Sequence, residues 1–427
     1  MKKSTFKRLL AALLALAMVF ALAACGNSAG DQGNQPSGSN NAQPANDNNG
    51  SNDNNNNAGG GDETPAAGGT ILWLSNLSSG PQYEAAVAYA NAVCGKLGYK
   101  FQVVYGDTFN DPAGNLSAVQ TGMTSDVVGI IASQDGGIQN IMDEYPDLYV
   151  VGFNTDMAAI YGEGGAAASL LDNDHWLGTI VDGHASGVDE AHEFSEAVIE
   201  GGYKKVATIT FPSYAYPQHG VAADVFRADI EAYNATAADG DKIEIVGDNK
   251  VLEFSPLDES WFMEGDNNDL DAIVGICAGT MFIYPTMKSA IANGLCSPDT
   301  KLLTGGWETG EDLLADIGGD GVIQRVRISP IENIAWALVM LDNSLQGKPY
   351  ADFEPVRIDS LPYVIDSTED VANIMDHSLN GTLDPQYAQV SLTDLETVLT
   401  RYNPDATLAQ LNDLFHSEQL TVDALAK

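Results

Sequence analysis

Basic residues are scarce in this chain. Its 427 residues include 19 lysines and arginines against 59 aspartates and glutamates, which gives a formal net charge of −40 at pH 7. Four of the bases, Lys2, Lys3, Lys7 and Arg8, lie at the extreme N-terminus, so the remainder is more acidic still. Such a surface repels nucleic-acid phosphates and anionic lipid headgroups. The composition therefore argues against nucleic-acid binding, and a basic patch cannot hold this chain at a membrane.

Cysteine is also rare, with four in the whole chain. Cys94 lies in a helix-like pattern, Cys277 ends a strand-like run, and Cys296 follows the next helix-like stretch. A helix of about 14 residues is about 21 Å long, which exceeds the reach of a disulfide between its ends. We therefore expect three unpaired, mostly buried thiols, no metal or redox site, and no cofactor.

Sequence patterns of catalysis are absent: there is no nucleophile elbow, no phosphate-binding loop and no His/Cys cluster with metal-ligand spacing. Residues 162–167, "GEGGAA", faintly resemble a dinucleotide-binding loop but do not directly follow a strand-like run. His184 and His192 with Asp182 and Asp189 could be arranged around a metal, but exposed residues at the start of a helix are the better account. We expect that the protein is not an enzyme.

The first 24 residues have the pattern of a secretion signal. A basic head is followed by the apolar stretch 9–24, "LLAALLALAMVFALAA". This stretch is shorter than the about 20 residues that a membrane-spanning helix needs. The small residues before Cys25, "LAAC", resemble the lipobox of bacterial lipoproteins. That resemblance implies diacylation of Cys25, cleavage before it, and a lipid anchor on the extracytoplasmic face of the bacterial cell membrane.

Residues 26–69 contain no valine, isoleucine, leucine, methionine or aromatic residue. Asparagine, glycine, serine, aspartate, alanine and proline cannot bury enough apolar surface to offset the conformational entropy of the chain. The segment is therefore predicted to be a flexible, disordered tether between the lipid and the folded part.

From residue 70, strand-like and helix-like stretches alternate. Strand-like runs lie at 70–75, 100–106, 126–133, 148–154, 177–183, 204–211, 242–247, 270–276, 300–306 and 321–328. Helix-like stretches separate them, among others at 82–97, 113–123, 136–145, 187–201, 221–234 and 309–317. This alternation predicts an α/β fold of parallel strands covered on both faces. Because about 360 residues exceed a single typical core, we expect two doubly wound α/β lobes.

Three segments resemble the type I periplasmic binding proteins, the ribose- and galactose-binding group. They are "DVVGIIASQDGGIQNIMDEYPDLYVVGFN" (126–154), "FRADIEAYN" (226–234) and the run from "TKLLTGGWETGEDLL" to "LQGKP" (300–349). The resemblance implies an N-lobe and a C-lobe joined by three crossing segments. We place the crossings near Gly178–Asp182, Ser329–Pro330 and Ser360–Tyr363.

The resulting domain prediction assigns residues 70–182 and 329–360 to the N-lobe, and 183–328 and 361–366 to the C-lobe. Residues 367–427 are predicted to be a helical extension, because their leucines recur with amphipathic helical spacing. The sequence does not say which lobe the extension packs on.

Candidate ligand-binding residues follow from the rule that ligands bind beyond the carboxyl ends of the strands in open parallel sheets. The residues at or after such strand ends are Asn76, Gln82, Tyr83, Ser133, Gln134, Asp135, Asn154, Asp156, Tyr214, Tyr216, Thr280, Trp307 and Glu308. The family resemblance adds Arg227 and implies ligand contacts for Tyr83 and Glu308 as well. We expect Trp307 on the cleft rim, where its indole offers a flat face to a sugar or aromatic ring, and Glu308 beside it as a hydrogen-bond acceptor.

Departures from the family pattern concern the ligand. Residues 277–281, "CAGTM", replace the Asn-Asp that sugar binders often carry there, Ile328 replaces a frequent glutamine, and Glu308 is longer than the usual aspartate. A cage of polar side chains for a plain hexose or pentose is therefore incomplete. This favours a less hydroxylated, larger or aromatic-bearing ligand.

The resemblance implies a monomeric solute-binding lipoprotein that captures a sugar or related small molecule between two lobes and delivers it to an ABC transporter permease. The alternative is a ligand-sensing lipoprotein that presents its bound state to a membrane receptor. Hinge closure serves either function.

Overall fold

Two β-sheets, each flanked by helices, organise the chain. The structure is a computed structural model, and it describes residues 68–106, 111–162, 164–182, 187–213, 216–378 and 390–415. The first sheet contains β1 (Thr70–Ser75), β2 (Lys100–Tyr105), β3 (Val127–Ala132), β4 (Tyr149–Phe153), β5 (Trp176–Asp182) and β12 (Arg357–Ser360). Its strands are all parallel, in the order β12-β5-β4-β3-β1-β2.

The second sheet lies later in the chain. It contains β6 (Lys205–Thr210), β7 (Glu244–Ile245), β8 (Lys250–Val251), β9 (Ala272–Ile276), β10 (Lys301–Gly305), β11 (Ile323–Ile328) and β13 (Tyr363–Ile365). The order is β13-β11-β10-β9-β6-β7, with β8 also pairing with β6. The strands are parallel except β13, which runs antiparallel to β11. We call the first sheet with its helices the N-lobe and the second the C-lobe.

Helices connect the strands. They are α1 (Pro81–Leu97), α2 (Pro112–Gly122), α3 (Ile138–Glu144), α4 (Ala158–Tyr161), α5 (Val188–Glu200), α6 (Pro217–Thr236), α7 (Gly279–Phe282), α8 (Tyr284–Ala292), α9 (Glu311–Ala315), α10 (Asn333–Leu345), α11 (Thr368–His377), α12 (Leu392–Val398) and α13 (Leu408–Phe415). Proline stands in the first turn of α1, α2 and α6, where its missing N–H costs no helical hydrogen bond. None of the helices in the described part of the chain is long and apolar enough to cross a membrane.

Burial on both faces explains why the strands read as continuous apolar runs. All six residues of β1 are buried. Because successive side chains point to opposite faces, Ile71 and Trp73 join one hydrophobic cluster while Leu72 and Leu74 join another. The first cluster also contains the inner face of α1 and residues 334–341 of α10, which packs against α1, β4 and β5.

The predicted α/β fold with two parallel sheets is confirmed, with differences in detail. The run at 242–247 forms only the two-residue strand β7, and the short strands β8, β12 and β13 were not predicted from the sequence. The sequence places the first crossing near Gly178–Asp182. These residues belong to β5, where Thr179–Asp182 pair with β12, so the chain leaves the first sheet only after Asp182.

Hydrogen bonds tie the crossing region together. Asn333 Nδ2, at the start of α10, donates to Ser360 Oγ at 2.7 Å and to Asn154 Oδ1 at 3.3 Å. Ser360 Oγ in turn donates to the Val181 carbonyl oxygen at 3.2 Å. Hydrogen bonds donated by the side chains of Asn333 and Ser360 therefore link the start of α10 to the ends of β4, β5 and β12.

The C-terminal extension contacts both lobes. Helix α11 packs against α9 of the C-lobe, whereas α12 and α13 pack against α10 of the N-lobe. Trp336 Nε1 donates to Asn412 Oδ1 at 2.9 Å, and the Tyr350 hydroxyl donates to the Val398 carbonyl oxygen at 2.6 Å. Between these contacts, Ser378 Oγ donates to the buried carboxylate of Glu332 at 3.0 Å. The C-terminal extension therefore packs on both lobes.

Candidate ligand-binding cleft

A cavity of about 360 Å³ lies between the carboxyl ends of the strands of the two sheets. Seven predicted ligand residues line it from the N-lobe: Asn76, Gln82, Ser133, Gln134, Asp135, Asn154 and Asp156. The C-lobe contributes, among others, Glu190, Phe211, Tyr216, His219, Cys277 and Arg327. Residues at the strand ends of both sheets therefore line this cavity, and its size lies within the range of small-molecule sites.

Two polar side chains of the N-lobe wall are half-buried and make no hydrogen bonds with other described residues. Asn76 follows β1, and Gln82 lies in the first turn of α1. Neither side chain makes a hydrogen bond or ion pair with another residue in the described ranges. A buried polar ligand would supply the partners that these amides lack.

The neighbouring polar groups are held in place by the protein. Ser133 Oγ accepts a hydrogen bond from Trp73 Nε1 at 2.8 Å. Gln134 Nε2 donates to the Gly106 carbonyl oxygen at 2.9 Å, and its Oε1 accepts from Asn115 Nδ2 at 3.3 Å. This part of the wall is therefore preorganised, which lowers the entropy cost of binding.

The backbone turns at Asn154, directly after β4, where the residue lines the cavity. Asn154 has φ 51°, in the left-handed region that asparagine tolerates better than most residues. Just beyond it, Asp156 Oδ1 accepts from the Ala158 amide at 3.2 Å. Asp135 accepts from the Ala159 amide at 3.0 Å, and partial burial raises the pKa of this carboxyl group. These contacts fix two carboxylates on the N-lobe side.

The C-lobe wall holds a buried charge that the sequence analysis missed. Arg327, near the end of β11, is 3% exposed, and its Nε lies 2.8 Å from Glu193 Oε2. Glu190, one turn earlier on α5, is 4% exposed. The available signal was a basic residue in an apolar run three positions before Pro330. The same residue is equally compatible with an ordinary strand, so the sequence alone does not single it out.

An aromatic cluster forms another part of the C-lobe wall. The rings of Tyr216 and His219 stack with centroids 4.7 Å apart and 11° between their planes. The ring centroid of Phe211 lies 5.7 Å from that of Tyr216, and Phe211 packs edge-on against Phe282 with ring centroids 5.0 Å apart. Burial raises the pKa of Tyr216 further above neutral pH. The cluster presents apolar faces to a ligand ring and keeps a neutral hydroxyl nearby.

A smaller chamber of about 170 Å³ adjoins the cavity on the N-lobe side. The two spaces share five lining residues: Asn76, Gln82, Ser133, Asn154 and Ser329. Tyr83, another predicted ligand residue, lines this chamber and not the main cavity. We call this space the side chamber.

Other predicted residues lie elsewhere. Trp307 and Thr280 are buried, at 3% and 1% exposure, and the expectation of an indole on the cleft rim is wrong. Gly305 and Gly306 themselves line the cavity, and Gly306 has φ 88°. The glycine turn occupies the wall and is followed by an indole packed in the core.

Glu308 and Arg227 are partly exposed and do not line the cavity, and burial raises the pKa of Glu308. Tyr214 lies outside the described residues. His192 Nδ1 lies 2.7 Å from Asp229 Oδ2, whereas His184 is outside the described ranges. Over the residues that the structure describes, no group of three or more histidines, cysteines and acids could hold a metal ion.

Comparison with known proteins identifies the fold. No family model and no curated protein sequence matches the chain. Among solved structures, an ABC transporter solute-binding protein from Burkholderia graminis, in complex with D-arabinose, has TM-score 0.52 and 16% identity, covering 72% of this chain and 97% of that chain. An arabinose-binding protein from Geobacillus stearothermophilus has TM-score 0.52 and 15% identity, covering 71% and 98%.

A third similar structure is a solute-binding protein from Agrobacterium vitis bound with α-D-tagatopyranose. It has TM-score 0.52 and 13% identity, and the match covers 74% of this chain and 98% of that chain. In all three comparisons nearly the whole solute-binding protein is matched by about three quarters of this chain or slightly less. The chain therefore has the fold of the type I periplasmic binding proteins that serve ABC transporters.

Proposed function

We propose that the protein is an extracytoplasmic solute-binding protein that captures a sugar or related small molecule between its two lobes and delivers it to an ABC permease. The observation that supports this most is the cavity lined by strand ends of both sheets, whose lining includes Asn154 and Val181 of the hydrogen-bonded crossing region. Structures with the same fold hold D-arabinose and tagatose. A cavity closed by two lobes suits capture and release.

The charges in the cavity narrow the class of ligand. Among the residues that the structure describes, the carboxylates of Asp135, Asp156 and Glu190 and the guanidinium of Arg327 line the cavity, and Arg327 also lies beside Glu193. Like charges disfavour an anionic ligand such as a sugar acid or a sugar phosphate. We therefore propose a neutral or cationic ligand that uses hydroxyl or amino groups to meet the polar wall.

Calorimetry on the full chain tests this proposal with D-arabinose, D-tagatose, D-ribose, D-galactose and D-glucose. Asn76→Ala should weaken binding of a sugar by about 1–3 kcal/mol, or roughly fivefold to a hundredfold, because a ligand hydroxyl loses its partner. Asn91→Ala is the matched control, since Asn91 is exposed on the outer face of α1 and donates to the Val87 carbonyl oxygen. Equal affinities for the Asn76 and Asn91 variants would contradict the assigned site.

We further propose that Cys25 carries a lipid that anchors the protein to the cell membrane. Cys25→Ala should shift the protein from the membrane fraction to the medium or to an uncleaved precursor, because the acceptor thiol for the lipid is lost. Fractionation and mass spectrometry of the N-terminal peptide measure this. An unmodified Cys25 in the membrane-bound wild-type protein would contradict the proposed anchor.

A further inference from the structure

We propose that the side chamber is a second subsite, which holds an apolar ring substituent of a ligand whose polar part occupies the main cavity. The inference rests on the proposed function and specifies its ligand as a glycoside or similar two-part molecule. Three observations support it: the continuity of the two spaces, the chemistry of the chamber wall, and its size.

Continuity comes from the five shared residues. Asn76, Gln82, Ser133 and Asn154 are polar and stand where the chamber meets the cavity. A ligand that spans both spaces would therefore meet hydrogen-bonding groups at its middle, as the bond between a sugar ring and its substituent requires. The uncommitted amides of Asn76 and Gln82 lie at this junction.

The remaining wall of the side chamber is apolar and largely aromatic. It consists of Trp73, Leu77, Tyr83, Ala86, Phe153 and Ile331. The rings of Trp73 and Tyr83 stack with centroids 5.9 Å apart, and Phe153 packs edge-on against Trp73 at 5.6 Å. The Trp73 indole is also fixed by its hydrogen bond to Ser133. Aromatic walls of this kind favour another ring, by stacking and by edge-to-face contact.

Size sets the upper limit of the substituent. An apolar cavity of roughly 150 Å³ is large enough to bind benzene, so the about 170 Å³ of the side chamber accommodates one six-membered ring. Leu77 lines the chamber and is 44% exposed, which leaves apolar surface that a bound ring would cover. No charged side chain lines this space within the described ranges, so an apolar ring fits better than an ionic group.

The test compares each sugar with its own phenyl glycoside. Calorimetry on the full chain uses D-arabinose, D-ribose, D-galactose and D-glucose, free and as phenyl glycosides. For a sugar that binds, the phenyl glycoside should bind about tenfold to a hundredfold more tightly, the gain expected from burying one phenyl group. The measured quantity is the ratio of the two affinities.

Two variants should reduce this ratio below about threefold. Ala86→Leu extends a side chain into the chamber, and Leu77→Asp places a charge against its apolar wall. Because Leu77 is partly exposed, its variant tests the subsite even if Ala86→Leu folds poorly. Asn91→Ala is the matched control: Asn91 is exposed on the outer face of α1 and is not among the residues that line either space, so the ratio should persist.

The outcomes separate the two proposals. A free sugar that binds while its phenyl glycoside binds no more tightly overturns the subsite and leaves the proposed function in place. A ratio that survives in both chamber variants also overturns the subsite. If no sugar and no phenyl glycoside binds the wild-type protein, the proposed function fails, and the subsite fails with it.

Discussion

Arg401→Ala is expected to destabilise the protein by about 3–5 kcal/mol, because it leaves a buried carboxylate without its countercharge. Arg401 follows α12, and its Nε donates to Asp342 Oδ2 of α10 at 2.8 Å. The side chain of Asp342 is fully buried and that of Arg401 is 10% exposed. Arg401 Nη1 also donates to the Leu97 carbonyl oxygen at 3.1 Å. One guanidinium thus ties the C-terminal extension to two helices of the N-lobe.

The loss should depend on pH. Burial raises the pKa of Asp342 in the folded protein, and this effect exceeds the opposing attraction of Arg401. A carboxyl group with a raised folded-state pKa contributes stability below its unfolded pKa and loses it as pH rises through the folded value. Without Arg401 the pKa of Asp342 rises further. The destabilisation by Arg401→Ala should therefore be largest at neutral pH and smaller at acidic pH.

Urea unfolding at several pH values measures this effect. Lys100→Ala provides the control, because Lys100 and Asp126 form an ion pair at 3.4 Å with side chains 81% and 47% exposed. Exposed pairs contribute at most about 1 kcal/mol, so this variant should stay close to the wild type. Equal stabilities of the Arg401 and Lys100 variants, or a loss that grows towards acidic pH, would contradict the role assigned to Arg401.

Trp307→Ala should cost about 3–5 kcal/mol of stability, the range for truncating a buried aromatic side chain. Trp307 is 3% exposed and belongs to the same hydrophobic cluster as Leu302 and Leu313. Its Nε1 has no hydrogen-bond partner among the residues that the structure describes. The ring therefore stabilises through packing, whereas its N–H contributes little.

Trp307→Phe is the matched control, since it keeps an aromatic ring and removes the unpaired N–H. Its loss of stability should be clearly smaller than that of Trp307→Ala. Thermal and urea unfolding of both variants, followed by calorimetry with a bound sugar, separates packing from ligand contact. A stable Trp307→Ala variant with strongly reduced affinity would show that the indole contacts the ligand after all.

The sequence predicts the position of the cleft better than its chemistry. Residues after β1, β3 and β4 could be named because parallel strands bring their carboxyl ends to one edge. Whether a side chain that follows a strand end faces the cavity or the core is harder to predict, because this depends on the local backbone geometry. The turn at Gly306, with φ 88°, precedes a buried Trp307, and no periodic pattern reveals this. Arg327 was missed because its environment consists of residues far away in the sequence.

The fold shows the same limit. Long apolar runs such as β1 and β9 were found because both of their faces are buried. β12 and β13 contain four and three residues and are held by pairing with β5 and β11, so their own residues carry little signal. The division of the C-terminal extension between the lobes likewise depends on distant partners, among them Asp342 and Trp336.

The burial of the thiols has a practical consequence for spectroscopy. Cys94, Cys277 and Cys296 are free but buried, and burial raises the pKa values of all three. Because the thiolate is the species that reacts with maleimides, these three thiols should react slowly with maleimides at neutral pH. In the Cys25→Ala background, one cysteine introduced on the surface of each lobe would be labelled selectively. A donor and an acceptor dye attached there would report the separation of the lobes in single molecules, without removal of any native cysteine from the folded core.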